Sequence, residues 1–218
     1  MTARYVRPTF AEATYRDEHG EPFTYGDRWG VAGPPEDTYS RDAHPERFAP
    51  LHDVADALVA HLVATYDVEV LEGDEALVDL HLDAQPVRRA VRLVPAAADA
   101  APLTLAWTGY PGVVVRAGVL FEGALPICGC DACDETAGSV AQQVEELVLG
   151  VVDGRLQETL DGRRTGRRLT TPDGGWSSEA GEAPRWATDE HLRAAARRLA
   201  DLPDGWRPWP VRVATPEV

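Results

Sequence analysis

The apolar residues of this chain switch between two periods, and the first is helical. From Leu51 to Leu62 they recur every three or four positions, the spacing that places side chains on one face of a helix. Pro50 suits the first helical position, because its missing N–H would have no partner there in any case. We therefore predict a helix over residues 50–66 with one buried face.

Short apolar runs replace the helical period between residues 68 and 121. Turn residues such as glycine, proline and aspartate separate the runs. The connections are too short for the crossovers that parallel strands require, so we predict antiparallel pairing. The predicted strands are Val68–Leu71, Leu77–Leu82, Val87–Val94, Leu103–Trp107 and Val113–Phe121.

The helical period returns over residues 134–153, where valine and leucine side chains form one face. A shorter helix is predicted over residues 188–201, with Thr188 as its N-cap. The intervening segment, 155–187, predicts a β-hairpin and then a mobile stretch from Gly174 to Pro184.

These elements together predict an α+β fold: an antiparallel sheet with helices 50–66 and 134–153 packed on it, and a short C-terminal helix. A length of 218 residues suits a single domain covering 1–218. Residues 1–45 predict an irregular N-terminal arm, and residues 188–218 a C-terminal helix with a tail. In the arm, Arg28 and Trp29 either line a pocket or hold the arm on the core.

The charge of the chain restricts its partners. The formal net charge is −15, so we expect no binding to nucleic acid or to anionic membranes, which require clustered Lys and Arg. A basic protein partner is compatible with the acidic surface. The N-terminal residues have no apolar signal-peptide core, and we expect a cytoplasmic protein with reduced thiols.

Two residue types are absent from the chain, lysine and asparagine. Without lysine there is no P-loop, no kinase-type lysine and no Schiff base. Without asparagine there is no Cys-His-Asn triad. The sequence also contains no G-x-S-x-G, H-E-x-x-H or G-x-G-x-x-G motif, so we nominate no catalytic residue.

All three cysteines lie within six residues, in a C-x-C-x-x-C loop formed by Cys128, Cys130 and Cys133. Three thiolates on one short loop can converge on a thiophilic metal, and zinc is the ion that such a loop favours. The loop precedes a predicted helix, whose N-terminus favours thiolate. A fourth ligand is missing from the loop, and His44 is our first candidate, with Asp131 and Asp134 as local alternatives.

Other interpretations of the cysteine loop remain open. An iron–sulfur cluster would require four thiolates as a rule. A redox sensor would use one reactive thiol and a resolving neighbour. The cysteines can also be small side chains in a turn without a functional role. The functional prediction is a non-catalytic binding or interaction domain stiffened by the cysteine loop, with a metal-dependent or thiol-based enzyme or a redox sensor as the alternative.

Five segments carry a family resemblance: Tyr25–Trp29, Pro34–Ser40, His44–His52, Tyr110–Val113 and Cys128–Glu135. They resemble a family of uncharacterised actinobacterial proteins, domain of unknown function 6226. The resemblance covers at least residues 5–161, and the cysteine loop is its most specific part. It implies an actinobacterial, cytosolic, single-domain protein, and it implies no activity, cofactor or catalytic residue. The absence of lysine and asparagine fits the GC-rich genome of such a source.

Overall fold

A computed structural model describes residues 4–78, 80–81 and 86–213 of the chain. Its helices are α1 (Pro50–Thr65), α2 (Asp74–Leu77), α3 (Ala137–Val152) and α4 (Asp189–Ala200). Its strands are β1 (Tyr15–Arg16), β2 (Pro22–Phe23), β3 (Val68–Glu72), β4 (Val87–Pro95), β5 (Leu103–Thr108), β6 (Val113–Ala117), β7 (Phe121–Leu125), β8 (Leu156–Asp161), β9 (Arg164–Thr170) and β10 (Trp176–Glu182). Short 3-10 turns occupy Gly30–Ala32, Glu36–Ser40, Pro45–Phe48 and Asp131–Cys133.

The principal sheet is an antiparallel meander of five strands in the order β3-β4-β5-β6-β7. Helices α1 and α3 cover one face of this sheet. Every residue of the central strand β5 is buried, and residues that alternate along the strand pack on opposite faces of the sheet. Leu103 and Leu105 pack into the core with the two helices, whereas Ala106 joins a small cluster beside α2 on the opposite face. The predicted α+β fold is therefore confirmed.

Helix α3 begins later than predicted, and the difference shapes the cysteine loop. The Thr136 hydroxyl caps the helix by accepting from the Ser139 N–H at 3.0 Å. Residues 131–133 form a separate 3-10 turn, and Asp134 adopts a left-handed conformation with φ of 52°. Asp134 and Glu135 thus precede the N-cap and belong to the loop.

The predicted strand Val113–Phe121 is confirmed only over Val113–Ala117, which is β6. Val113–Phe121 is interrupted by a turn at residues 118–120, where Gly118 has φ of 61° and reverses the chain into β7. The buried Glu158 carboxylate stabilises this turn by accepting three successive backbone N–H groups, from Val119 to Phe121, at 2.7–3.1 Å. The turn was not predicted because Val119 and Leu120 are apolar and continue the pattern of the strand.

The predicted strand Leu77–Leu82 falls partly outside the described residues, because positions 79 and 82 are not among them. Of its described residues, Leu77 ends helix α2, and 78, 80 and 81 belong to no strand. Gly73 has φ of 62° and allows the chain to leave β3 and enter a single helical turn.

The C-terminal third forms a second layer. Strands β8 and β9 form the predicted hairpin. Strand β10 pairs with β9 and extends the hairpin to a three-stranded antiparallel sheet. Strand β10 lies in the stretch from Gly174 to Pro184 that was predicted to be mobile. Helix α4 begins after Thr188, whose hydroxyl accepts from the His191 N–H as predicted. The tail docks through Trp206 and Trp209, whose indole N–H groups donate to Glu158 and to the Ala101 carbonyl at 2.8 Å each.

None of the helices in the described part of the chain combines the length and the hydropathy needed to cross a membrane.

Candidate metal centre

The cysteine loop connects the edge strand β7 to helix α3. Cys128 and Cys133 are exposed, and Cys130 is half-buried. Cys130 has an extended backbone and caps the 3-10 turn that carries Cys133. This turn folds the C-x-x-C segment back on itself, so that two sulfurs face the same point.

The three sulfur atoms converge as predicted. All three Sγ atoms lie within 4.8 Å of one another, and those of Cys130 and Cys133 are 3.5 Å apart. Three thiolates bound to one tetrahedral zinc ion at about 2.3 Å are separated by roughly 3.5–4 Å. The loop therefore has a geometry in which Cys128, Cys130 and Cys133 could hold one metal ion.

The thiols of the loop differ in acidity. Burial raises the pKa of Cys130, but donors from the Cys128 thiol and from the backbone N–H groups of Cys133 and Ala132 outweigh burial and lower that pKa overall. Hydrogen bonding to Cys130, then burial and the proximity of Cys128, raises the pKa of Cys133 to about 12. Cys130 is therefore more acidic than Cys133, and a metal ion must displace a proton from Cys133 to bind its sulfur.

Asp131 fixes the loop to the N-terminal arm. Its carboxylate accepts from the buried Tyr25 hydroxyl at 2.8 Å, and its backbone N–H donates to the Arg41 carbonyl at 2.8 Å. Its own carbonyl accepts from the Trp29 indole at 3.1 Å. The expectation that Trp29 holds the arm on the body is thus met, and the Asp131 side chain supports the loop instead of joining the sulfur cluster.

Arg47 is the second support of the loop. Its guanidinium is 3% exposed and donates to the carbonyls of Gly129, Glu135 and His44 at 2.7, 3.1 and 2.8 Å. It also lies over the Tyr25 ring, 4.1 Å from the centroid. The guanidinium thereby joins the two ends of the cysteine loop to the turn before α1.

The structure does not bring the predicted fourth ligands to the sulfurs. His44 contacts the Glu46 carboxylate at 3.0 Å through Nδ1 and lies against the Tyr15 ring. Asp134 accepts from the Arg28 backbone N–H at 2.8 Å. Within the described ranges, the only cluster of three or more His, Cys, Asp or Glu with converging ligand atoms consists of the three cysteines.

A cleft of about 420 Å³ opens beside the loop, with Cys130 and Gly129 in its wall. Gly129 approaches the Tyr110 ring so closely that a methyl group on it would overlap the Tyr110 hydroxyl. That hydroxyl donates to Asp42 at 3.3 Å. Apolar side chains complete the wall: Val113, Val114, Ala124, Leu125, Pro126 and Ile127.

The sequence profile of a family of unknown function, DUF6226, matches residues 11–213. The chain belongs to this family. The match covers residues 11–161 of the expected 5–161, with the cysteine loop, and continues through the second sheet and helix α4. No curated protein and no solved structure matches the chain. Family membership therefore supplies no activity, and the function must be argued from the site.

Sequence reasoning identified the cysteines but missed the residues that hold them. Arg47 stands among ordinary charged residues, and Tyr25 and Asp131 are more than one hundred positions apart. Their hydrogen bonds depend on the tertiary path of the arm across the start of α3. Only the spacing of the cysteines was visible as a local signal.

Proposed function

We propose that Cys128, Cys130 and Cys133 bind one zinc ion. The convergence of the three sulfurs carries the proposal, since all of them lie within 4.8 Å of one another. Thiolates select soft or borderline ions, and zinc tolerates a mixed shell with a fourth light ligand. An iron–sulfur cluster is disfavoured because it ordinarily requires four thiolates.

In this proposal the zinc centre is structural and serves a non-catalytic binding or interaction domain. The loop is attached to the arm by Tyr25, Trp29, Arg41 and Arg47, and to helix α3 by chain continuity. A metal ion would close this linkage and fix residues 25–48 against the start of α3. Catalysis would require a nucleophile, a base and a charge stabiliser in one place, whereas at this loop only thiols converge.

The proposal assigns the protein to the cytoplasm, where reducing conditions keep the thiols available for metal. It assigns a protein partner of basic character, which the net charge of −15 favours, and no nucleic acid or membrane.

Cys130→Ser tests the structural role, with Ile127→Ser as the matched control. Ile127 lies in the same loop but is 81% exposed and is not a ligand. Cys130→Ser should lose zinc and melt about 5–10 °C lower, because metal binding energy is folding energy. A chelator should lower the melting temperature of the wild type similarly and leave Cys130→Ser unchanged. Unchanged melting of Cys130→Ser would contradict a structural zinc.

A second candidate function rests on the 3.5 Å contact between the sulfurs of Cys130 and Cys133. Two adjacent thiols can be oxidised by peroxide to a disulfide with release of two water molecules, as in a thiol redox sensor. This candidate predicts metal-free protein as isolated and rapid peroxide consumption that Cys130→Ser abolishes. Zinc-loaded protein with thiols that resist peroxide would exclude it.

A further inference from the structure

The cleft beside Cys130 has the size and lining of a small-molecule site. Its volume of about 420 Å³ lies within the usual range for ligand pockets, and its wall is largely apolar. Ala124 on β7 is exposed and lines the cleft beside its cross-strand partner Val114. The polar side chains of its wall include the carboxylate of Asp42 and the hydroxyls of Thr108 and Tyr110.

A metal ion held by the three cysteines would have an open coordination position. Zinc takes four ligands, and no fourth His, Cys, Asp or Glu ligand joins the sulfurs among the described residues. Cys128 and Cys133 are exposed, so a ligand from solution can reach the ion. Of the three cysteines, Cys130 lines the cleft, so a molecule in the cleft would approach the ion from the side of Cys130.

The charge around the loop selects the fourth ligand. Three thiolates on a divalent ion give a net charge of −1. The nearby carboxylates of Asp42, Asp131, Asp134 and Glu135 outnumber the guanidinium groups of Arg28 and Arg47. A further anion would therefore be repelled, and a neutral nitrogen donor is favoured over a carboxylate.

We propose that the cleft binds a small molecule whose neutral ring nitrogen occupies the fourth coordination position and whose apolar body contacts Val114 and Ala124. This inference rests on the proposed metal centre. Its ligand class is an azole with an aromatic or aliphatic substituent, and a hydrogen-bond donor on that substituent would meet the Asp42 carboxylate at the rim.

Cobalt(II) in place of zinc makes the centre visible, because the ligand-field bands of cobalt respond to the fourth ligand. The probes are imidazole, 1-benzylimidazole and phenylacetate, added to the cobalt-loaded full chain. We expect both azoles to change the visible spectrum, and 1-benzylimidazole to bind at least about ten-fold tighter because its ring is buried in the cleft. Phenylacetate, which has a similar body but an anionic head, should leave the spectrum unchanged.

Ala124→Trp fills the cleft, and Ala180→Trp is its control on another exposed strand, β10. Ala124→Trp should remove the ten-fold preference for 1-benzylimidazole while it retains imidazole binding, and Ala180→Trp should change neither. Equal binding of the two azoles by the wild type, or a response to phenylacetate, would overturn the inference and leave the metal proposal intact. Failure of the chain to take up one cobalt with thiolate charge-transfer bands would overturn both.

Discussion

Replacement of Arg47 by alanine tests whether the arm organises the cysteine loop. The substitution removes the buried guanidinium that donates to the carbonyls of Gly129, Glu135 and His44. It leaves the carbonyls of Gly129 and Glu135, in the loop and its connection to α3, without this donor, whereas the His44 carbonyl still accepts from the backbone N–H of residue 47. Both the stability of the fold and the affinity for metal should therefore fall.

The expected loss follows from these contacts. A hydrogen bond to a charged group contributes about 1.5–3 kcal/mol, but carbonyls opened to water recover part of that free energy. The ring contacts of the guanidinium with Tyr25 and Phe48, at 4.1 and 4.2 Å from their centroids, are also lost. We expect the free energy of unfolding to fall by about 3–5 kcal/mol. Zinc affinity should fall by about 10–100-fold, as when a residue supporting metal ligands is removed.

Urea denaturation and competition with a chromophoric chelator measure the two quantities. Arg41→Ala is the matched control, because its exposed side chain pairs with Asp37 while its backbone carbonyl still accepts from Asp131. That control should lose less than about 1 kcal/mol and keep its zinc affinity. An Arg47→Ala protein with zinc affinity within two-fold of the wild type would show that Arg47 does not organise the cysteine loop for metal.

Two further predictions concern the loop itself. Zinc binding should release protons and weaken as the pH falls. The reason is that Cys133, with its pKa raised to about 12, is protonated in the metal-free protein, so protons compete with the ion. Calorimetry in buffers of different ionisation enthalpy measures the proton release, and a zinc affinity that does not change with pH would contradict the prediction. Gly129→Ala should destabilise the protein by about 1–3 kcal/mol through overlap with the Tyr110 hydroxyl. Tyr110→Phe in the same chain should restore part of that loss in urea denaturation, and an additive double variant would argue against the overlap.

The elements that sequence could predict are those in which local pattern and tertiary environment agree. Helix α1 has an apolar stripe and a proline at its start, and both features persist in the fold. Strand β5 is a short apolar run, buried on both faces. The turn between β6 and β7 was missed because its stabilising partner, Glu158, is distant in the sequence and the turn itself is apolar except for Gly118. Strand β10 was missed because all of its residues are exposed.

The same distinction applies to the candidate site. The cysteine spacing alone predicted that the sulfurs converge, because C-x-C-x-x-C confines the three side chains to one turn. The fourth-ligand candidate His44 was chosen for its place in an ordered loop, but its ring packs among aromatic side chains and Glu46. The cleft beside Cys130 combines residues from three separate segments, at positions 42, 108–114 and 124–130, so no local pattern could indicate it.

X-ray absorption at the zinc edge of protein purified without chelator or affinity tag shows whether the three cysteines bind zinc. We expect about one zinc per chain, with three sulfur neighbours at about 2.3 Å and one nitrogen or oxygen neighbour at about 2.0–2.2 Å. The signal should disappear in Cys130→Ser and persist in Ile127→Ser. A shell of light atoms alone, or protein that contains no zinc under these conditions, would contradict a metal centre at Cys128, Cys130 and Cys133.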